Sequence, residues 1–209
     1  MFYLRVGPNL FCRAVLLCTL FFAVVRHADA KSEQEAITEG YNAAKNAEVI
    51  ANSGGEKTLA FESHRLKITI PSGFELSKVA MGSSVGYFIS GPKSAQGRAS
   101  SLKVYVISPP AGAPLPPSKV MFDAMLRPFR MRLANYFEEM TAVQKIHGQT
   151  FETARFGGDL AGKNLKGFFY ISRLKDAFCI FSGSDDAARF AQSEPQLKAI
   201  VNSCKIDAR

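Results

Sequence analysis

The sequence predicts an α+β domain: a largely antiparallel sheet with helices packed on it. Three observations predict this. Short runs with apolar residues at strand spacing fall on both sides of a central helical stretch. In that stretch Met121, Met125, Phe129, Leu133, Tyr136 and Met140 recur at helical spacing. A second helical run closes the chain, with Leu197, Ile200, Val201 and Cys204 on one side. Composition agrees, since 47% of the 209 residues are apolar and 21% charged, which excludes a disordered or collagen-like chain.

Residues 1–30 read as a secretory signal peptide. Arg5 and Arg13 give a positive start, residues 14–25 are an uninterrupted apolar run, and Ala28-Asp29-Ala30 offers the small-x-small cleavage site. The run is shorter than the roughly 20 residues a bilayer span needs, and Arg26 closes it. The chain is therefore expected in the periplasm or outside the cell, with no transmembrane span after cleavage.

Residues 31–57 predict an N-terminal helix and linker, loosely attached to the main core. Ser32 and Glu35 stand at capping-box spacing, Ile37, Tyr41 and Ala44 share a face, and Asn52–Gly55 ends the run. The globular domain is placed at 58–209. Leu66, Ile68 and Ile70 alternate with Lys67 and Thr69, and Pro71–Gly73 turns the chain. Strands follow at 85–90 and 102–108, divided by the glycine-containing loop 91–101. The prolines from 109 to 117 make a stiff connector. Ser118 caps the central helix, which runs to Met140 and which Pro128 is expected to kink or divide. Strands at 150–156, 165–173 and 177–183 come next; Asp185 caps the last helix, and Pro195 interrupts its start.

Two motifs suggest chemistry and fail on mechanics. Residues 82–86 match the G-x-S-x-G nucleophile elbow around Ser84, with Asp123 and His147 following in triad order. That elbow needs a helix directly after the serine, whereas Tyr87–Ile89 continue as a strand. Residues 157–164 come within one residue of a phosphate-binding loop, but Asn164 replaces the hydroxyl residue and a strand follows. A glycine hairpin is the better reading. His64 and His147 each stand without a second ligand at metal spacing. No catalytic, cofactor-binding or metal-ligating residue is assigned, and no enzyme is expected.

The formal charge is +8, without a block of five like charges. It favours an acidic partner or an anionic envelope surface. Arg127, Arg130 and Arg132 stand close together as a candidate anion-facing patch, or as a solvated helix face. No basic stripe interleaved with aromatics points to nucleic acid. Two cysteines remain after the leader, Cys179 in an apolar strand and Cys204 on the buried side of the last helix. They predict a disulfide holding that helix to the sheet, the alternative being two buried thiols.

Three places resemble the PsbP-like family, which includes the extrinsic subunit of the photosynthetic oxygen-evolving complex and import factors that bind the Ran GTPase. They are the strand and turn Ile70-Pro71-Ser72-Gly73-Phe74, the aromatic hairpin of 167–172 with 177–182, and the closing segment 200–206. Cys204 stands where that family usually has phenylalanine. The resemblance implies an α/β/α sandwich, a mostly antiparallel central sheet flanked by helices, used for binding or assembly without catalysis. Three functions follow as expectations. The first is an exported, non-catalytic binding or assembly domain with a partner in the cell envelope. The second is a carrier of an apolar or amphipathic ligand, with the 121–140 helix as one wall of its cleft. The third and weakest is a small serine hydrolase using Ser84.

Overall fold

A computed structural model of the chain describes residues 42–43, 47–81, 84–93, 99–109 and 113–206. The expected signal peptide and the first part of the expected N-terminal helix lie outside these residues. In chain order the elements are β1 (Asn42–Ala43), β2 (Glu48–Ala51), β3 (Lys57–Phe61), β4 (Leu66–Ile70), β5 (Glu75–Met81), β6 (Ser84–Lys93) and β7 (Ala99–Ser108). Then come α1 (Ser118–Arg132), β8 (Ala134–Ile146), β9 (Gln149–Leu160), β10 (Lys163–Arg173), β11 (Phe178–Asp186), α2 (Ala187–Asn202) and β12 (Lys205–Ile206). The larger sheet runs β5-β6-β7-β11-β10-β9-β8, with β1 also on β7; the smaller runs β12-β4-β3-β2. Every pairing among the described residues is antiparallel.

The α/β/α sandwich is thereby corrected. The fold is β-rich, with two sheets and two α-helices among the described residues, and one face of the larger sheet is covered by the second sheet together with α2 where a helical layer was expected. Alternation along the strands separates two cores. Val104, Val106, Phe168, Tyr170, Cys179 and Phe181 point to one side, where the four-stranded sheet and α2 share the cover. Tyr105, Phe169, Ile171, Phe178 and Ile180 point to the other, under Met121, Phe122 and Leu126 of α1.

Three glycines let these strands lie close. Phe137 faces Gly157 across β8 and β9, Phe156 faces Gly167 across β9 and β10, and Phe168 faces Gly183 across β10 and β11. A Cβ at Gly157, Gly167 or Gly183 would lie 2.3–2.4 Å from the facing ring. Each ring therefore rests on the neighbouring backbone, where a side chain would obstruct it. Gly157 and Gly158 belong to a strand and build no phosphate loop.

Several local expectations are corrected. The central helix ends at Arg132, where the Leu133 amide donates to Phe129 O at 2.9 Å, and residues 134–146 form β8. Leu133, Tyr136 and Met140 thus leave the helical stripe. Pro128 lies inside α1 and Pro195 inside α2, and both helices continue past them. Asp186, one residue later than expected, caps α2 by accepting from the Ala188 amide at 3.2 Å. The helix expected over 32–51 gives way to strand at Glu48–Ala51, where β-branched Val49 and Ile50 pair with Leu59 and Thr58.

Candidate functional site

At the end of the larger sheet where β10 turns into β11, four separated stretches enclose a cleft of about 320 Å³. Its walls come from the 3-10 turn between β3 and β4 (Ser63, His64, Arg65), the start of β9 (Gln149), the β10–β11 turn (Arg173, Lys175, Asp176) and Ile206 of β12. The first wall exists because Glu62–His64 make one tight turn and Arg65 adopts a left-handed conformation (φ 52°), its amide donating to Glu62 O at 3.1 Å. The second is set by Gln149, whose Nε2 donates to Ser172 Oγ and to Arg173 O. Leu174 N donates to Ala177 O at 2.8 Å and holds the turn that carries Lys175 and Asp176.

His64 is the centre of the cleft. Its side chain is 7% exposed, and its Nε2 faces the Ser108 Oγ at 3.3 Å and the Asp176 carboxylate at 3.8 Å. Ser63 Oγ lies 2.8 Å from Nδ1. The tautomer with hydrogen on Nε2 suits both serines, since Ser63 then donates to Nδ1 and Nε2 donates to Ser108 Oγ. Burial lowers the His64 pKa from its ordinary 6.5, and Asp176 partly opposes this. At neutral pH the ring is therefore uncharged.

Serine, imidazole and carboxylate stand in line here, but the arrangement lacks the parts of an acyl-transfer centre. Asp176, 70% exposed and 3.8 Å away, does not fix the ring by a hydrogen bond. The Arg65 amide, beside the His64 turn, is already committed to Glu62 O and is not free as an oxyanion donor. What the cleft does concentrate is positive charge, with exposed Arg65, Arg173 and Lys175 on its walls. Lys67 and Lys205 stand directly opposite each other on adjacent β4 and β12.

The residues singled out from sequence fall elsewhere. Arg130 is held by the Glu138 carboxylate at 2.8 and 2.5 Å and by Asp123 at 3.2 Å, while the Tyr136 hydroxyl donates to Glu138 at 2.6 Å. Glu138 is pulled below the ordinary carboxylate range, first by its bonds to Arg130. Arg132 lies within electrostatic reach of Lys103, whose pKa burial and that charge both lower. The charge of Arg130 is thus met by two carboxylates within its own surface. Ser84 begins β6; its side chain and residues 82–83 lie outside the described residues. His147 faces Asn202 O at 3.0 Å, in a turn apart from the cleft. Cys179 and Cys204 are brought together as buried thiols; burial and the contact with Cys204 push the Cys179 thiol well above its ordinary value.

The wall expected for an apolar carrier is absent from its predicted place, because Met121, Phe122 and Leu126 are buried against the sheet and Met140 is on a strand. Among the described residues no group of three His, Cys, Asp or Glu side chains is placed to hold a metal ion. Nor, among them, is any helix long and apolar enough to cross a membrane.

No family model and no curated protein matches the chain by sequence. Among the solved structures that share its fold are the following two. The cyanobacterial PsbP (CyanoP) of Synechocystis sp. PCC 6803 is 12% identical and superposes with a TM-score of 0.51, covering 78% of this chain and 99% of that one. LpqN of Mycobacterium tuberculosis, a protein involved in cell envelope biogenesis, is 8% identical with a TM-score of 0.52, covering 78% of this chain and 91% of its own. At such identities the likeness is one of fold. It agrees with the fold-level resemblance read from residues 70–74, 167–182 and 200–206.

Proposed function

We propose that the chain is an exported, non-catalytic binding or assembly domain of the cell envelope, and that the His64 cleft receives an acidic group of its partner protein. One observation carries the reading: Arg65, Arg173 and Lys175 line a cleft whose one carboxylate, Asp176, faces the imidazole. A carboxylate entering it meets cations on both walls and a histidine that charges when the pH falls. The likeness to LpqN, itself involved in envelope biogenesis, supports the setting, as do the apolar run and cleavage site of residues 1–30. The outer membrane surface or an anionic lipid would also attract the net charge. The recessed, buried histidine favours a discrete side chain or chain terminus.

Titration with an acidic peptide of mixed aspartate and glutamate, followed by calorimetry at low salt, tests this. The double substitution Arg173→Glu with Lys175→Glu should weaken binding by roughly tenfold or more. Equal affinity for both proteins would end the reading.

The pH dependence has a definite sign. His64 binds its proton less readily in the folded chain than in the unfolded one, so lowering the pH through about 6.5 removes stability. A bound carboxylate reverses that preference. Peptide affinity is expected to rise as the pH falls from 7.5 to 5.5, and His64→Gln should flatten the rise. A pH profile identical in the variant would remove His64 from the site.

A further inference from the structure

β8 is the outermost strand of the larger sheet, and among the described residues nothing pairs with its outer edge. It is 13 residues long. Long edge strands with apolar side chains are ordinarily covered, because they template pairing with another chain. This one leaves Phe137 49%, Met140 56% and Val143 60% exposed.

The register with β9 shows which face each residue occupies. Glu138 and Met140 lie opposite Phe156 and Ala154, on the α1 face; Phe137 and Glu139 lie opposite Gly157 and Arg155, on the other. A bulge between Thr141 and Gln144 then changes the phase. Gln144, bonded by the Tyr170 hydroxyl, and Ile146, buried in the α2-side core, share the face of Phe137. Alternation places Val143 and Lys145 on the α1 face with Glu138 and Met140.

With its phase changed in the middle, the strand is complementary to itself. Two copies laid antiparallel about a dyad between Thr141 and Ala142 bring Glu138 opposite Lys145, Met140 opposite Val143, and Phe137 opposite Ile146. Each of these three pairs falls on a common face and occurs twice, while Thr141 and Ala142, within the bulge, meet at the dyad. Carboxylate meets ammonium, and Met140 and Phe137 each meet an apolar residue. The adjacent register about Ala142 sets Glu139 against Lys145 on opposite faces and loses this match.

We propose that β8 is the interface of a two-fold symmetric homodimer, in which the two larger sheets join edge to edge through β8. The occupant of this edge is thus a second copy of the chain. The inference stands apart from the His64 cleft, which lies elsewhere and could fail without affecting it.

Sedimentation of the purified mature chain at micromolar to millimolar concentration, with two single charge reversals, tests the register. Glu138→Lys and Lys145→Glu should each set like charges opposite one another twice, weakening self-association by about tenfold. An equimolar mixture of the two variants restores both attractive pairs and should dimerise as the unmodified chain does. Circular dichroism of each variant keeps the comparison to folded protein, and because Glu138 also binds Arg130, the Lys145→Glu variant is the cleaner single measurement. A monomer at every concentration overturns the proposal. A dimer that neither reversal weakens, or one not recovered on mixing, places the interface elsewhere and overturns it equally.

Discussion

Replacing Phe169 with alanine is expected to cost about 3–5 kcal/mol of folding stability. Phe169 is fully buried in the middle of the larger sheet, on the face that α1 covers. Its ring lies 5.4 Å from Phe129 of α1 in an edge-to-face arrangement and 5.2 Å from Phe156 of the adjacent strand. Phe129 also meets Phe156 at 4.7 Å, so the three rings form a closed triangle between helix and sheet. Removing the middle ring loses two aromatic pairs and leaves a cavity that the flanking strands cannot close, because the strand ladder fixes their spacing. Denaturant unfolding should show a lower midpoint with an unchanged slope. A loss below roughly 1 kcal/mol would mean that α1 simply settles into the gap, and that the ring triangle does not fix its position.

The same aromatic face shows what sequence patterning reaches. Strands β4, β6, β7, β9, β10 and β11 were legible because their apolar residues keep the spacing of buried strands. The last helix was legible because Leu197, Ile200 and Val201 keep a helical one. Residues 134–140 misled for a physical reason. Leu133 and Tyr136, three positions apart, both pack at the α1-side core, because the bulge between Ala134 and Phe137 inserts an extra residue. A three-residue apolar repeat is also a helical signal, so a bulged strand following a true helix extends its stripe. Neither Pro128 nor Pro195 divides its helix. Each removes one backbone donor, a cost that packing of the helix on its sheet outweighs.

The cleft was not legible at all. Ser63–Arg65, Gln149 and Arg173–Asp176 are joined only through strand order, and no spacing links them along the chain. A polar Ser-His-Arg run between two apolar alternations signals a turn, as does Leu-Lys-Asp at 174–176, but neither signals the other. His64 therefore read as solitary. The arginine cluster at 127–132 had the reverse defect: it was conspicuous in sequence, yet its middle member is met by acids on α1 and β8. Local charge density is visible one-dimensionally, and its neutralisation is not.

Cys179 and Cys204 give the other large expected effect. They lie on β11 and just beyond α2, buried and in thiol contact, so the geometry brings together the two residues a bridge requires. In a chain folded in an oxidising compartment, the two thiols are expected to pass two electrons and two protons to a disulfide oxidant, which is reduced to its dithiol. Closing residues 179–204 into a loop adds about 3 kcal/mol in the chain-entropy model. The non-reduced mature protein should then be two hydrogens lighter than the reduced one, and reduction should lower its stability by that amount. Cys204→Ala should abolish the difference between the two conditions, which separates the bridge from the packing of the side chain. Order of events follows from burial. The folded environment pushes the Cys179 thiol up and suppresses its thiolate, so a chain folded under reducing conditions should oxidise slowly. Refolding in the presence of a disulfide oxidant should form the bridge before α2 closes over β11. Two thiols open to alkylation in the denatured, oxidatively refolded chain would show instead that both cysteines serve only as small core residues.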